Sequence, residues 1–294
     1  MDQFLQQLVN GLSIGSIYAL IALGYTMVYG IIQLINFAHG DVLMIGAFIG
    51  YFATTSLNIG FVPALLLAMA ACSLLGVIIE RVAYRPLRSS PRITLLITAI
   101  GVSLVLEYTM MRFVGPSVRS YPPLTGFLSG AFTLGGVNIK NIQLVIVGVS
   151  VTLMLLLQFI VKRTATGKAM RAVSQDAEAA RLMGISVDKT ISLTFALGSA
   201  LAGAAGVLLG VYYNSIQPLM GISYGLKAFV AAVFGGIGLI PGALVGGYSI
   251  GFLETLVKGS GLSMFSDGVV YAVLIIVLIV RPAGLLGKDA REKV

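Results

Sequence analysis

Three polar side chains, Asn36, His39 and Asp41, stand together in the segment "INFAHGDVLMIG", inside a run that is otherwise apolar. Ionisable groups buried in lipid are costly and mark either a helix–helix hydrogen bond or a polar pathway. Asn36 and Gly40, like Phe37 and Asp41, are one helical turn apart, and the clustering of three polar groups beside a glycine favours a broken or cavity-lining helix near a translocation path. Glu107 and Arg112 fall toward the end of another apolar run, where snorkelling accounts for them. Glu254 and Lys258, spaced i, i+4, form a structural pair on one helix face. His39 is the only histidine and Cys72 the only cysteine. No triad spacing, cysteine-based metal cluster or intramolecular disulfide can be drawn, which leaves little chemistry for an enzyme and implies no cofactor.

A second group of residues lies in "SQDAEAARLMG", residues 174–184. Ser174 is placed to cap a helix, Asp176 and Glu178 favour its positive end, and Gly184 is placed to stop it in a left-handed turn. One short, well-terminated helix is expected. By composition alone it reads equally as a polar connector lying on a membrane surface.

The chain that positions these groups has 294 residues, 57% hydrophobic and 10% charged, with a mean hydropathy of +0.99; soluble domains carry roughly 25% charged residues. It is expected to be an all-α polytopic membrane protein forming one transmembrane domain over residues 1–294. Its 36 glycines suit close packing of membrane helices. Gly206 and Gly210, Gly242 and Gly246, and Gly247 and Gly251 repeat the four-residue spacing of such contacts. Apolar stretches of roughly 20 residues, long enough to span, fall near 8–29, 31–55, 61–80, 93–114, 142–161 and 191–213. A run from about 225 to 257 is too long for one crossing, and "GGIGLIPGALVGG" at its centre places Gly235, Gly236, Gly238 and Pro241 where a helix breaks. A discontinuous helix at the midplane there would expose backbone groups to a polar substrate. With a short last segment, 268–281, about eight or nine spans result. The N-terminus lacks the basic region and cleavage site of a signal peptide, so the first span is expected to remain.

Lys and Arg set the orientation. Of 19 basic residues, 14 lie within residues 80–92, 162–189 and the tail from Arg281 through Lys288, Arg291 and Lys293. The positive-inside rule places all three patches in the cytoplasm, the N-terminus outside, the C-terminus inside, and residues 162–190 in a cytoplasmic loop. The tail is inside only if residues 225–257 cross twice or dip and return. The 115–141 loop, rich in Pro, Gly and Ser, is the main external one. The basic patches are short, interspersed with acids and pinned to the ends of spans, so nucleic acid is not an expected partner.

Long blocks resemble the permeases of high-affinity branched-chain amino acid importers driven by ATP-binding cassettes: "YALIALGYTMVYGIIQLINFAHGD" (18–41), "IERVAYRPLR" (79–88), "LTFALGSALAGAAGVLLG" (193–210) and "KAFVAAVFGGIGLIPGALVGG" (227–247). Glu178, Ala179, Ala180 and Gly184 match the E-A-A-x-x-x-G pattern by which such permeases dock on their ATPases; the Leu-Pro that follows it in many of them is absent here. The resemblance implies a second related permease subunit, two cytoplasmic ATPases, an external binding protein, and a bacterial cytoplasmic-membrane location. "TATGKAM" lacks the earlier glycine and the Ser or Thr of a phosphate loop, so ATP hydrolysis falls to a partner. Leucine, isoleucine and valine are the implied cargo, with urea or short amides the alternative in similar permeases. An autonomous channel or secondary transporter is the rival of another class, and would carry more conspicuous acid or base relays within its spans.

Overall fold

A computed structural model describes residues 2–123 and 125–287. Eleven α-helices fill most of them: α1 (Asp2–Ile32), α2 (His39–Thr55), α3 (Phe61–Ile79), α4 (Arg92–Phe113), α5 (Asn141–Arg163), α6 (Ala165–Gln175), α7 (Ala177–Leu182), α8 (Val187–Tyr213), α9 (Met220–Gly235), α10 (Ile240–Gly259) and α11 (Ser266–Val280). The remaining regular structure is one hairpin, β1 (Ala131–Leu134) with β2 (Val137–Lys140), and a few single turns, including the π turn Glu80–Tyr84 that ends α3. Among the described residues seven helices are long and apolar enough to cross a membrane. α2 and α9 are shorter, 17 and 16 residues, or roughly 25 Å against a hydrocarbon core of about 30 Å. This is a polytopic, all-α membrane protein.

α1 and α8 are apolar on every side because they are enclosed, whereas α4, α5 and α11 turn side chains such as Val105, Phe159 and Ile279 outward. Lipid tails are as apolar as leucine, so burying α1 and α8 gains no hydrophobic energy and close packing must hold them. α1 lies antiparallel along α10, where a Cβ added at Gly247 would meet the backbone of Ala19, and one at Gly251 the backbone of Gly15. Both seams repeat a small residue every four positions, the spacing that brings backbones together. Cys72 is buried on α3, against Gly203 of α8.

A buried ion cluster fixes the same region. Glu254, fully enclosed, accepts from Tyr18 Oη at 2.5 Å, Lys227 Nζ at 2.8 Å and Lys258 Nζ at 2.6 Å, and Lys227 also pairs with Asp267 at 2.7 Å. The expected Glu254–Lys258 pair is therefore one edge of a knot tying α1, α9, α10 and α11. Lys227 was hidden in an apolar block.

The helix connections sort to two ends of the bundle. At one end lie the 33–38 link, the turns after α3, the α6–α7 loop, the α9–α10 break and residues 281–287, whose Leu285 and Leu286 N–H groups donate to the carbonyls of Phe234 and Gly235 at 2.8 and 3.1 Å. At the other, Arg119 and Ile216 exchange two backbone hydrogen bonds of 2.9 Å, and Gln6 bonds Asn138. The expected second span, 31–55, begins instead at His39: Gln33 has a positive φ of 50°, and the polar Gln33 and Asn36 stop the helix between the two crossings. The break in 225–257 falls at residues 236–239, where Gly236 and Gly238 both have positive φ and Pro241 lies in the first turn of α10. That site is at the loop-bearing end, beside Gly30 and Arg171, and not midway along the bundle. Lys288, Arg291 and Lys293 lie outside the described residues.

Two substitutions test this packing. Gly251→Leu should destabilise the purified protein by about 1–3 kcal/mol through overpacking, whereas Gly101→Ala, with nothing within 4 Å, should leave its thermal unfolding midpoint in place. Glu254→Leu removes the central acceptor from Lys227, which is 4% exposed, and should cost about 3–5 kcal/mol; an unchanged midpoint would show that the cluster holds nothing together.

Candidate functional site

Asp41 stands in the first turn of α2, 1% exposed, and takes a hydrogen bond from the Ser103 hydroxyl of α4 on Oδ2. One turn further along α4 the Glu107 carboxyl faces it. Both acids line a cleft of roughly 250 Å³ between α4, α9 and the start of α2, whose other walls include Tyr25, Phe37, Leu104 and Leu226. Asp41 Oδ1 and Glu107 Oε1 have no hydrogen-bond partner among the described residues, and neither acid is in an ion pair. The arrangement can accept hydrogen bonds from a cation that brings its own donors.

Snorkelling does not describe Glu107. It is 3% exposed and lies six residues before the end of α4, roughly 9 Å by helix rise, too far for its short side chain to reach the helix end. Its spacing from Ser103, i, i+4, is the signal that puts both on one face. Arg112, in the last turn, is exposed.

The other two members of the polar trio point elsewhere. Asn36 Oδ1 accepts from Tyr84 Oη at 2.8 Å, which ties the 33–38 link to the turn after α3. His39 is buried against Gly24 of α1, its ring edge-on to Tyr25 at 4.7 Å, and its Nε2 has no partner among the described residues. Of the trio, Asp41 alone lines the cleft. Gly235, Gly236, Gly238 and Pro241 form the α9–α10 break at the loop-bearing end, away from these acids.

The α6–α7 loop holds two helices where one was expected. Thr164 Oγ1 caps α6 by accepting from Gly167 N at 3.1 Å, and Asp176, in extended backbone, ends α6 and caps α7 by accepting from Glu178 N and Ala179 N, both at 2.9 Å. Ser174 lies in the last turn of α6, its hydroxyl on Arg171 O, so the cap belongs to Asp176. Gly184 ends the turn with φ +82°, while Ile185 N reaches back to Ala180 O at 3.0 Å. Glu178 and Ala179 are exposed and Ala180 is buried. Sequence reasoning passed over Leu182 and Met183, which stand 89% and 82% exposed at the tip. It also passed over the strut behind them: Arg85 and Arg88 bond Asp188 at 2.5 and 2.6 Å, and Arg88 and Ser192 bond the buried Glu80. This strut links the start of α8, just after the loop, to the end of α3.

Residues 7–278 match the family model described as branched-chain amino acid transport system / permease component. The chain is 45% identical, over 99% of its length and 98% of the relative's, to the high-affinity branched-chain amino acid transport system permease protein BraD of Pseudomonas aeruginosa. It is 43% identical, over the same shares, to the corresponding protein LivH of Escherichia coli. In fold it is similar, at a TM-score of 0.50 and 12% identity over 96% of this chain and 93% of the other, to a chain in the structure of PsaBC from Streptococcus pneumoniae in complex with Fab. The chain belongs to the branched-chain amino acid transport permease family.

Proposed function

We propose that this chain is a membrane-spanning permease subunit of an ATP-driven importer that carries leucine, isoleucine and valine across the bacterial cytoplasmic membrane. The observation that carries this reading is the exposed α7, with its E-A-A-x-x-x-G residues Glu178, Ala179, Ala180 and Gly184, in a chain of this family. It pairs with a second related permease and rests on two cytoplasmic ATPases that hydrolyse ATP, while an external binding protein delivers the solute. The whole chain acts as one transmembrane domain, with residues 162–190 as its cytoplasmic coupling loop.

α7 acts as the docking element. Leu182 and Met183 enter an apolar groove on the ATPase, Glu178 meets a basic or amide group, and Ala180 anchors the helix to the permease. The Arg85–Asp188–Arg88–Glu80 strut then transmits a push on the loop to α3 and α8. The Gly235–Pro241 break sits beside α6 and serves as a hinge at the cytoplasmic mouth, while Asp41 stands on the path above it, with Asn36 and His39 supporting the turn that presents it.

Nine crossings, with α9 and α10 as two of them, put the N-terminus outside and the C-terminus inside, and collect the basic connections on the cytoplasmic side. In a Cys72→Ala background, Ser129→Cys should label from outside the cell and Ser90→Cys and Lys288→Cys from inside with an impermeant maleimide. Outside labelling at position 288 would break the nine-crossing arrangement.

Gly184 is open on all sides, so Gly184→Val strains only its backbone, by roughly 1–2 kcal/mol. At normal membrane levels the variant should retain about a tenth of wild-type ATPase co-purification and binding-protein-stimulated hydrolysis, and Leu182→Ser with Met183→Ser should do the same. Wild-type values in both variants would make the loop a solvated connector.

A further inference from the structure

The carboxyl-lined cleft has a composition that the coupling machinery does not explain. Resting on the reading of this chain as a branched-chain amino acid permease, we propose that Asp41 and Glu107 bind the ammonium group of the transported amino acid while the apolar wall of the same cleft takes its aliphatic side chain. The two acids come from different helices, α2 and α4, and are 1% and 3% exposed. Each keeps one buried oxygen without a donor. A carboxylate held in this way is costly unless a cation or a proton arrives to meet it. Asp41 Oδ1 lies beside Gly221 of α9 yet accepts no hydrogen bond there.

The surroundings select the kind of cation. Among the described residues no Lys, Arg or His lines the cleft, and its acids have no counter-ion there. A metal ion such as Ca²⁺ takes six to eight oxygen ligands; here the oxygen-bearing side chains are Asp41, Glu107, Ser103 and the Tyr25 hydroxyl, and the rest of the wall is hydrocarbon and glycine. A primary ammonium needs fewer, since it has three donors and no acceptor, and two carboxylate oxygens with a hydroxyl satisfy it. Leu104, Ile222 and Leu226 supply the apolar surface for a branched alkyl chain. Acid pair and aliphatic wall together match the ammonium end and the side chain of leucine, isoleucine or valine; urea can meet the acids through its N–H groups but has no alkyl chain for the wall.

The test uses the assembled transporter, both permeases with their ATPases, in liposomes supplied with the cognate binding protein and radiolabelled L-leucine. Asp41→Asn and Glu107→Gln should each lower uptake roughly tenfold while binding-protein-stimulated ATP hydrolysis stays within about twofold of wild type, because the docking loop is untouched. Glu107→Asp, which keeps the charge, should recover much of the uptake. Should Asp41→Asn fail to assemble, Glu107→Gln decides alone. Uptake within about twofold of wild type in Glu107→Gln overturns the assignment and leaves the two carboxyls sharing a proton; a parallel fall in uptake and hydrolysis overturns it in favour of a structural role. A wild-type complex that hydrolyses ATP but moves no branched-chain amino acid defeats the permease reading itself, and the ammonium site with it.

Discussion

The approach of α1 to α10 along Gly15, Ala19, Gly247 and Gly251 is the contact on which the other packing relations depend. Inside a bilayer, association has to come from dispersion and from polar groups that find each other, and both are strongest where backbones come close. Small residues along this seam let α10 lie flat on α1. With α10 fixed, Glu254 arrives opposite Tyr18 and beside Lys227, and the knot of four charges forms where a leucine-filled interface would have held the helices too far apart. α8, packed on α1, α2 and α3, completes the core, and the peripheral helices lean on it.

Charge is distributed by the same economy. The acids and bases of the 254 cluster neutralise one another; Glu80 is met by Arg88 and Ser192; among the described residues Asp41 and Glu107 stand without a base. Among the described residues the buried carboxyls are met by a basic side chain everywhere except at this one cleft, which sets it apart. The acids among α2, α4 and α9 stand apart from the loop-bearing end, where α7 and the arginine strut at the end of α3 lie.

How much of this could be read from residues depends on the range of the interaction involved. Spans follow from local composition, which places α3, α4, α5 and α11 within two residues at each end, but α1 begins six residues earlier, α8 four earlier and α2 eight later than composition indicates. The α9–α10 break follows from glycines and a proline that act on their own backbone, and it falls inside the expected stretch. The end of α7 at Gly184 was legible for the same reason, but the cap was misplaced by two positions because the sequence around Ser174 and Asp176 offers two candidates, and only the extended backbone at Asp176 selects one. Depth was harder. Apolar content puts the break near the middle of a long run, whereas its level in the bundle is set by Gly30 and the 281–287 segment, distant in sequence. Burial of Glu107 depends on α2 covering α4, and the role of Lys227 depends on acids 27 and 40 positions further on, which no window of local sequence contains. Asn36 and His39 looked equivalent to Asp41 on a helix, yet Asn36 lies in the link before α2 begins, so the three side chains take different directions.

The pairing of the first long helix with one that starts at residue 240 also sets an order on biosynthesis. α1 leaves the ribosome early with polar and glycine faces that no neighbour can yet cover, and its matching surface is not made until four-fifths of the chain has followed. Until then Tyr18 has no acceptor in Glu254, and Glu254 in turn waits for Asp267 to complete the knot on Lys227. Contacts of such long sequence separation form late and leave earlier intermediates open to wrong partners. A nascent chain cut short before α10 would therefore expose the glycine seam of α1 inside the bilayer, the kind of unfinished surface that membrane quality control can recognise, and completion of the C-terminal helices becomes the event that closes the molecule.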